Sequence, residues 1–140
     1  MPVASKRSAT SSRRVVSLKG DRAFARLRRG RPGHSRLLSL RWLPNRHAGR
    51  AIITTGIVVN KKVGNAVVRN RVRRRLRAAL EAIVAECMAN CTADTPPESA
   101  TKALLQGIAL VVIARPDTAQ ADYWQLKAAL QRALSKAGLL

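Results

Sequence analysis

The sequence predicts an α/β sandwich in which helices pack against a small sheet. The first observation is the order of the local patterns, which runs helix, strand, strand, helix, strand and helix without internal repeats. The second is the uninterrupted apolar segment 108–114, which is typical of a buried strand. The third is a long helical pattern that begins near Val67 and has one apolar face. Because the chain has 140 residues, we expect a single domain over residues 15–140.

The first and last helices follow from local patterns. Over residues 18–29, apolar and basic side chains alternate as in a short helix, and Gly30 and Pro32 then end it. Over residues 123–137, apolar side chains recur at helical spacing, which predicts the last helix.

Two strands are predicted to form a hairpin. Residues 37–43 form an apolar run, and residues 51–59 are rich in Ile, Thr and Val, as a buried strand should be. Between them stand Pro44, Asn45 and Gly49, which favour a turn. We therefore expect the two strands to be neighbours in the sheet.

Two segments are predicted to lie outside the regular elements. Residues 1–14 are rich in basic residues, Ser and Thr, and they lack acidic and aromatic residues. Since they have no apolar face at helical spacing, a flexible basic arm fits them better than a transit peptide. Residues 90–107 are polar and contain two prolines, which predicts a surface connector.

The charge distribution indicates a polyanionic partner. Seventeen of the 27 Lys and Arg residues lie between Arg22 and Leu80, and that stretch contains no Asp or Glu, in a chain of net charge +20. Such a density of cations repels itself unless a polyanion neutralises it, and nucleic acid is the obvious candidate. The sequence has no run of about 18 apolar residues that could span a membrane, so we expect no membrane partner. The low cysteine content, discussed below, agrees with the cytoplasmic location that we expect.

The long predicted helix separates apolar from basic side chains. With a step of about 100° per residue, one stripe contains Val68, Val72, Leu76, Ala79 and Ile83. The opposite side is predicted to contain Arg69, Asn70, Arg73, Arg74 and Arg77, with Arg71 at its margin. A solvated face is the ordinary fate of a charge run. Against it, six Arg within nine residues are predicted to lack acidic partners at i+4, which favours contact with nucleic acid.

The sequence predicts no catalytic residue and no metal ligand. Cys87 and Cys91 are the only cysteines, too few for a disulfide scaffold and consistent with a reducing cytosol. They share a helical face, but His34 and His47 lie far upstream without the spacing of a zinc site. No nucleophile–base pair or carboxylate cluster suited to hydrolysis is present.

The basic segment also carries a recognisable motif. It reads Lys61-Lys62-x-Gly64-x-Ala66-Val67-x-Arg69-Asn70-Arg71-x-Arg73-Arg74-x-x-Arg77, and it resembles the signature of the bacterial ribonuclease P protein subunit family. Leu18-Lys19 followed by Phe24 resembles that family's first helix, and Ile113-Ala114-Arg115 resembles the end of its last strand. The resemblance covers roughly residues 16–85 and 108–135.

This resemblance implies a fold and a function. The fold would be similar to the second domain of ribosomal protein S5, with the basic helix in a left-handed βαβ crossover. The function would be that of the protein subunit of ribonuclease P, an endoribonuclease that removes the 5′ leader of precursor tRNA. In this family the partner RNA carries the chemistry with bound divalent metal such as Mg²⁺, and the protein alone binds no metal and is not catalytic. The expected partners are therefore ribonuclease P RNA and precursor tRNA.

The resemblance also assigns residues. The positions that match RNA-contacting positions are Lys61, Lys62, Arg69, Asn70, Arg71, Arg73, Arg74 and Arg77. Phe24 matches an aromatic position of the cleft for the 5′ leader, and the first-strand aromatic position of that cleft falls on Arg41 or Trp42. Because this chain has fewer aromatics there, Arg26 and Arg41 are expected to supply more of the leader affinity. Phe24 could instead be a core residue. Asn60 stands where the family usually has Ser, and a second aromatic on the first helix is absent.

Two alternatives belong to other functional classes. A ribosomal protein of the same fold family would carry the basic helix but would need no leader cleft. A DNA-binding protein would place Asn, Gln, Ser and isolated Arg at base-contacting positions, rather than fill one helix face with Arg. The sequence leaves the oligomeric state open.

Overall fold

The computed structural model describes residues 15–18, 20–45, 52–90 and 107–139, without the side chains of Asp21 and residues 88–90. The predicted basic arm at 1–14 and most of the predicted connector at 90–107 lie outside the described residues. The strands are β1 (Val15–Ser17), β2 (Arg31–His34), β3 (Leu38–Pro44), β4 (Ile53–Val59) and β5 (Ile108–Ala114). The α-helices are α1 (Asp21–Leu27), α2 (Ala66–Asn90) and α3 (Tyr123–Lys136), with a short 3₁₀ helix at Pro116–Gln120.

The strands form one mixed sheet in the order β1-β4-β5-β3-β2. Strands β1, β4 and β5 are parallel, whereas β3 is antiparallel to β5 and β2 is antiparallel to β3. The long helix α2 connects β4 with β5, which are parallel neighbours. The predicted α/β class is confirmed.

The predicted hairpin between residues 37–43 and 51–59 is wrong. Both segments are strands, but β5 lies between them and pairs with each along its whole length. The hairpin of this fold is instead formed by β2 and β3, where the backbone N–H of Ser35 donates to the carbonyl of Leu38 at 2.9 Å. Consecutive strands are usually neighbours, but here β5, which is distant in sequence, lies between β3 and β4.

Helices α2 and α3 pack side by side on one face of the sheet. From the helices, the largest fully buried core side chains are Leu76, Leu80, Ile83, Leu126, Leu130 and Leu134. From the sheet, they are Leu38, Leu40, Ile53, Ile108 and Leu110. Helix α1 lies on the other face, where Leu27 is buried and the Phe24 ring rests against Gly56 of β4.

Strand β3 shows which of its residues can reach a ligand. Leu40 and Trp42 point to the α2–α3 side, so Arg41 between them points to the α1 side. Trp42 is only 4% exposed, and its Nε1–H donates to the carbonyl of Ala137 at 2.9 Å. Trp42 therefore presents little surface to a ligand, whereas Arg41 is exposed, and the leader-binding role of either residue stays a prediction.

Candidate nucleic-acid interface

The turn between β4 and α2 is held by two asparagines. The Oδ1 of Asn60 accepts a hydrogen bond from the backbone N–H of Lys62 at 3.0 Å. The Oδ1 of Asn65 accepts from the N–H of Val68 at 3.0 Å, which satisfies one of the free donors at the start of α2. Asn60 therefore stabilises the turn that places the exposed side chains of Lys61 and Lys62 just before the basic helix.

A cleft opens beside the free part of β4. Strand β1 pairs only with Ile53–Thr55, so the edge of β4 beyond Thr55 has no strand partner within the described ranges. A groove of about 770 Å³ follows this edge between α1 and α2. Its lining residues are Ser17, Leu18, Phe24, Thr55, Gly56, Ile57, Val67, Asn70, Arg73, Arg74 and Arg77.

One wall of this cleft is apolar and aromatic. The ring of Phe24 is partly exposed and lies so close to Gly56 that a Cβ on the glycine would overlap it. Val67, which is 73% exposed, adds an apolar side chain on the α2 side of the cleft. Because a nucleobase can stack on an aromatic ring, this wall suits an unpaired base.

The other wall is cationic. Asn70, Arg73 and Arg74 come from the first turns of α2 and face the cleft. The Oδ1 of Asn70 accepts a hydrogen bond from Nη1 of Arg73 at 3.0 Å, which holds that guanidinium in place. Guanidinium groups bind phosphate oxygens through paired N–H donors, so this wall suits a phosphodiester backbone.

Arg77 serves the fold as well as the cleft. Its Nη1 donates to Ser17 Oγ at 3.0 Å and its Nη2 to the carbonyl of Val15 at 3.4 Å, so it ties β1 to α2. Its Nε also lies 3.9 Å from a carboxylate oxygen of Glu81. The expectation that the basic run has no acidic partner at i+4 is therefore wrong for Arg77.

The remaining predicted RNA-contacting arginines do not line the cleft. Arg71 is exposed on another side of α2. Arg69 departs from the solvated face predicted for it, since it is half-buried and its Nε is enclosed without a hydrogen-bond partner among the described residues. Arg75, which is not among the predicted RNA-contacting residues, lies beside the apolar stripe of α2, and its Nη1 donates to the carbonyl of Ala121 at 2.9 Å.

The predicted leader residues Arg26 and Arg41 are not brought into the cleft with Phe24. Arg26 lines a groove on the other flank of α1, together with Arg29 and Leu43. Arg41 is exposed, and its Nη1 donates to the carbonyl of Arg28 at 2.7 Å. Phe24 is thus the predicted leader residue that shares a surface with Asn70, and the roles of the two arginines stay predictions.

Several cleft residues were not predicted from the sequence. Strand β1 ends at Ser17, opposite Thr55 of β4, and the cleft begins there, lined by Ser17, Leu18 and Thr55. A strand of three residues has no detectable sequence pattern, so this end could not be predicted. Val67 offered a signal, since it falls opposite the apolar stripe of its helix.

Within the described residues, no group of three His, Cys, Asp or Glu side chains could hold a metal ion. In the same part of the chain, no helix has the length and apolar character that crossing a membrane requires. Cys87 is half-buried against the core, and Cys91 lies outside the described residues.

Comparison with known proteins identifies the family. A family model described as Ribonuclease P matches residues 13–138. The chain belongs to the ribonuclease P protein family. It is 42% identical over 127 residues to the ribonuclease P protein component of Thermus scotoductus, which covers 91% of this chain and 63% of that protein. Against the component from Thermus aquaticus the identity is 40%, with the same coverage. The chain therefore spans less than two thirds of the length of these ribonuclease P relatives.

Solved structures of the ribonuclease P protein family have the same fold. The RNase P protein of Staphylococcus aureus matches with a TM-score of 0.63 at 22% identity, covering 85% of this chain and 92% of that one. The RNase P protein of Thermotoga maritima matches with a TM-score of 0.55 at 23% identity, covering 84% and 94%. Neither the ribosomal nor the DNA-binding alternative gains support from these ribonuclease P matches.

Proposed function

We propose that this protein is the protein subunit of ribonuclease P and acts in the cytoplasm on precursor tRNA. In this proposal α2 and the turn before it bind the catalytic RNA, the cleft holds the 5′ leader, and the RNA cleaves the leader with its own divalent metal ions. The protein contributes binding and orientation, and no residue of its own to the chemical step. Family membership supports the proposal.

The observation that carries the proposal is the pairing of unlike walls in one cleft. Phe24 offers a ring to a base, and Arg73 and Arg74 offer guanidinium groups to phosphates. A duplex would bury its base faces, so the combination favours a single strand such as a leader. A cleft volume of about 770 Å³ leaves room for more than one nucleotide.

The proposal extends to the topology. We infer a fold of the ribosomal protein S5 domain 2 type, with a left-handed crossover through α2. The parallel pairing of β4 and β5, which α2 connects, supports the crossover, and its hand is inferred from the family resemblance alone. Most such crossovers are right-handed, so this one would be an exception to the general rule.

Reconstitution tests the proposed function. We expect the purified protein to bind ribonuclease P RNA and to increase cleavage of precursor tRNA at the mature 5′ end at limiting Mg²⁺. The protein without RNA should cleave nothing, because its sequence offers no nucleophile–base pair or carboxylate cluster suited to hydrolysis. Specific cleavage by the protein alone would show that the chemistry is not the RNA's, and failure to bind the RNA would refute the proposal.

Replacing Phe24 tests the leader cleft. Phe24→Ala should reduce the preference for precursor over mature tRNA by about 5- to 150-fold, since stacking on one base contributes about 1–3 kcal/mol. Binding of ribonuclease P RNA alone should not change, because Phe24 lies across the cleft from the basic wall. Equilibrium binding of leader-containing and mature tRNA to the holoenzyme measures the ratio.

Phe24→Leu is the matched control for this prediction. Leucine keeps apolar bulk against Gly56 but offers no ring. If Phe24 stacks on a base, leucine should lose most of the preference that alanine loses. If the leucine variant keeps the preference for precursor tRNA, Phe24 only fills space against the sheet.

A further inference from the structure

The exposed face of α3 carries a second aromatic platform, away from the cleft. Trp124 is 70% exposed in the first turn of the helix. The other tryptophan, Trp42, is buried in the core. An indole left in water costs free energy that burial against a partner would recover.

Neighbouring side chains hold the Trp124 indole in place. The ring of Tyr123 meets it edge-on, with centroids 5.1 Å apart and an interplanar angle of 81°. The Nζ of Lys127 lies 5.7 Å from the indole centroid and 2.6 Å from a carboxylate oxygen of Glu86. That hydrogen bond raises the pKa of Lys127, so the ammonium is charged at neutral pH. The indole is therefore positioned in advance, which lowers the entropy cost of stacking on it.

A groove with arginines on both walls adjoins this stripe of α3. Trp124, Ala128 and Arg132 follow one another at one-turn intervals, and the latter two line a groove of about 550 Å³. The opposite wall is the turn between β2 and β3, which contributes Arg36 and Leu37. Arg36 and Arg132 are both accessible at the surface, so their guanidinium groups can reach a ligand.

The acidic residues nearby do not oppose an anionic ligand strongly. Glu86 is paired with Lys127, and Asp122 caps α3 by accepting a hydrogen bond from the N–H of Gln125 at 2.8 Å. Asp117 lines the groove and is exposed. A carboxylate there can accept a hydrogen bond from a ribose 2′-hydroxyl, a group that DNA lacks.

We propose that this face binds an unpaired RNA segment, with a base stacked on Trp124 and backbone phosphates on Arg132 and Arg36. The inference rests on the proposed function only in that RNA is the partner. The surface is separate from the cleft, since the two grooves have no lining residue in common. An unpaired strand fits because only unstacked bases expose the faces that an indole can cover.

Tryptophan fluorescence tests the stacking directly, because the chain contains only two tryptophans. Titration with a single-stranded oligoadenylate should quench the emission, whereas the same strand paired with oligouridylate should quench it far less. In Trp124→Phe the remaining emission of Trp42 should not respond to the oligonucleotide. Quenching that persists in Trp124→Phe would overturn the proposal.

The arginines are tested by the same signal. Arg36→Ala with Arg132→Ala should move the quenching midpoint to higher oligoadenylate concentration and lower its dependence on log salt by about 0.7 per lost phosphate contact. Phe24→Ala, which alters the other cleft, should leave this midpoint in place. A midpoint and salt dependence unchanged in the double variant would remove the phosphate contacts and contradict the proposal.

Two further measurements distinguish failure of this inference from failure of the proposed function, and they identify which RNA supplies the bound strand. Fluorescence anisotropy of a labelled oligoadenylate reports binding anywhere on the protein. If the oligonucleotide binds without a change in Trp124 emission, only the present inference is refuted. If the protein binds no RNA at all, the proposed function is refuted as well. In the holoenzyme, a genetically encoded photo-crosslinker at Ala128 should attach to ribonuclease P RNA or to precursor tRNA, which identifies the source. A crosslink to neither RNA contradicts the proposal.

Discussion

Replacing Arg73 and Arg74 together with alanine is expected to weaken binding of precursor tRNA to the holoenzyme by about 150-fold or more, because each hydrogen-bonded charge contributes about 1.5–3 kcal/mol. Both guanidinium groups line the cleft wall of α2. The dependence of log affinity on log salt should fall by about 0.7 for each phosphate contact with the single-stranded leader that is lost. A salt titration of binding, measured by filter retention or anisotropy, gives both quantities.

The control for this prediction removes the same charge elsewhere. Arg22 and Lys136 are exposed and line neither the cleft nor the α3 groove. Their double replacement with alanine should change long-range attraction without removing a contact, so its salt dependence should stay near that of the unmodified protein. Equal slopes in the two double variants would show that Arg73 and Arg74 act only through net charge.

Arg77 is a poorer choice for such an experiment, although it belongs to the same motif. Its guanidinium holds Ser17 and Val15, and thereby β1, against α2. Alanine at this position would release the strand that ends beside the cleft, and the loss of RNA binding would then report on folding as well as on charge. The motif marks cationic positions, but hydrogen bonds decide which of them are available to a ligand.

Long elements with one strong period could be predicted from the sequence, whereas short strands could not. The predicted bounds of β5 are the observed ones, the start of α2 is predicted to within one residue, and both ends of α3 are predicted to within one residue. Strand β1 has three residues, and β2 reads Arg-Pro-Gly-His, which is the composition of a turn. Both exist because a neighbouring strand offers hydrogen bonds, and such tertiary contributions overrule local preference.

The candidate site shows the same division. The positions of the basic residues could be predicted, yet the cleft depends on where β1 stops pairing with β4, which no local pattern records. The burial of Trp42 could have been predicted from the sequence, because Leu38, Leu40 and Trp42 alternate with Ser39 and Arg41. A strand with that alternation places the tryptophan with the leucines in the core.

The packing of β2 against α3 leads to the second large effect, a loss of stability in Gly33→Ala. Gly33 pairs with Leu40 in the β2–β3 hairpin and faces α3. A Cβ on Gly33 would overlap the carbonyl oxygen of Ala133 and would lie 2.8 Å from the Cβ of Ala137. The carbonyl oxygen of Ala133 belongs to the helix backbone and cannot change rotamer as a flexible side chain can, so α3 or β2 must move.

That movement should be costly because α3 supplies Leu130 and Leu134 to the core. We expect Gly33→Ala to lower the free energy of unfolding by about 3 kcal/mol, the upper part of the range for overpacked sites. For a chain of this size the midpoint of thermal unfolding should fall by about 10 °C. Urea and thermal unfolding followed by circular dichroism measure the two changes.

Gly138→Ala is the matched comparison. Gly138 has a φ of 84°, and no atom lies within 4 Å of the position its Cβ would take. Alanine there meets backbone strain without a collision, which costs about 1–2 kcal/mol. Gly33→Ala should therefore be the more destabilising of the two. If the Gly33→Ala variant unfolds at the same urea concentration as the unmodified protein, β2 can move away from α3 at no cost in stability. The close approach of strand and helix would then contribute nothing to the stability of the fold.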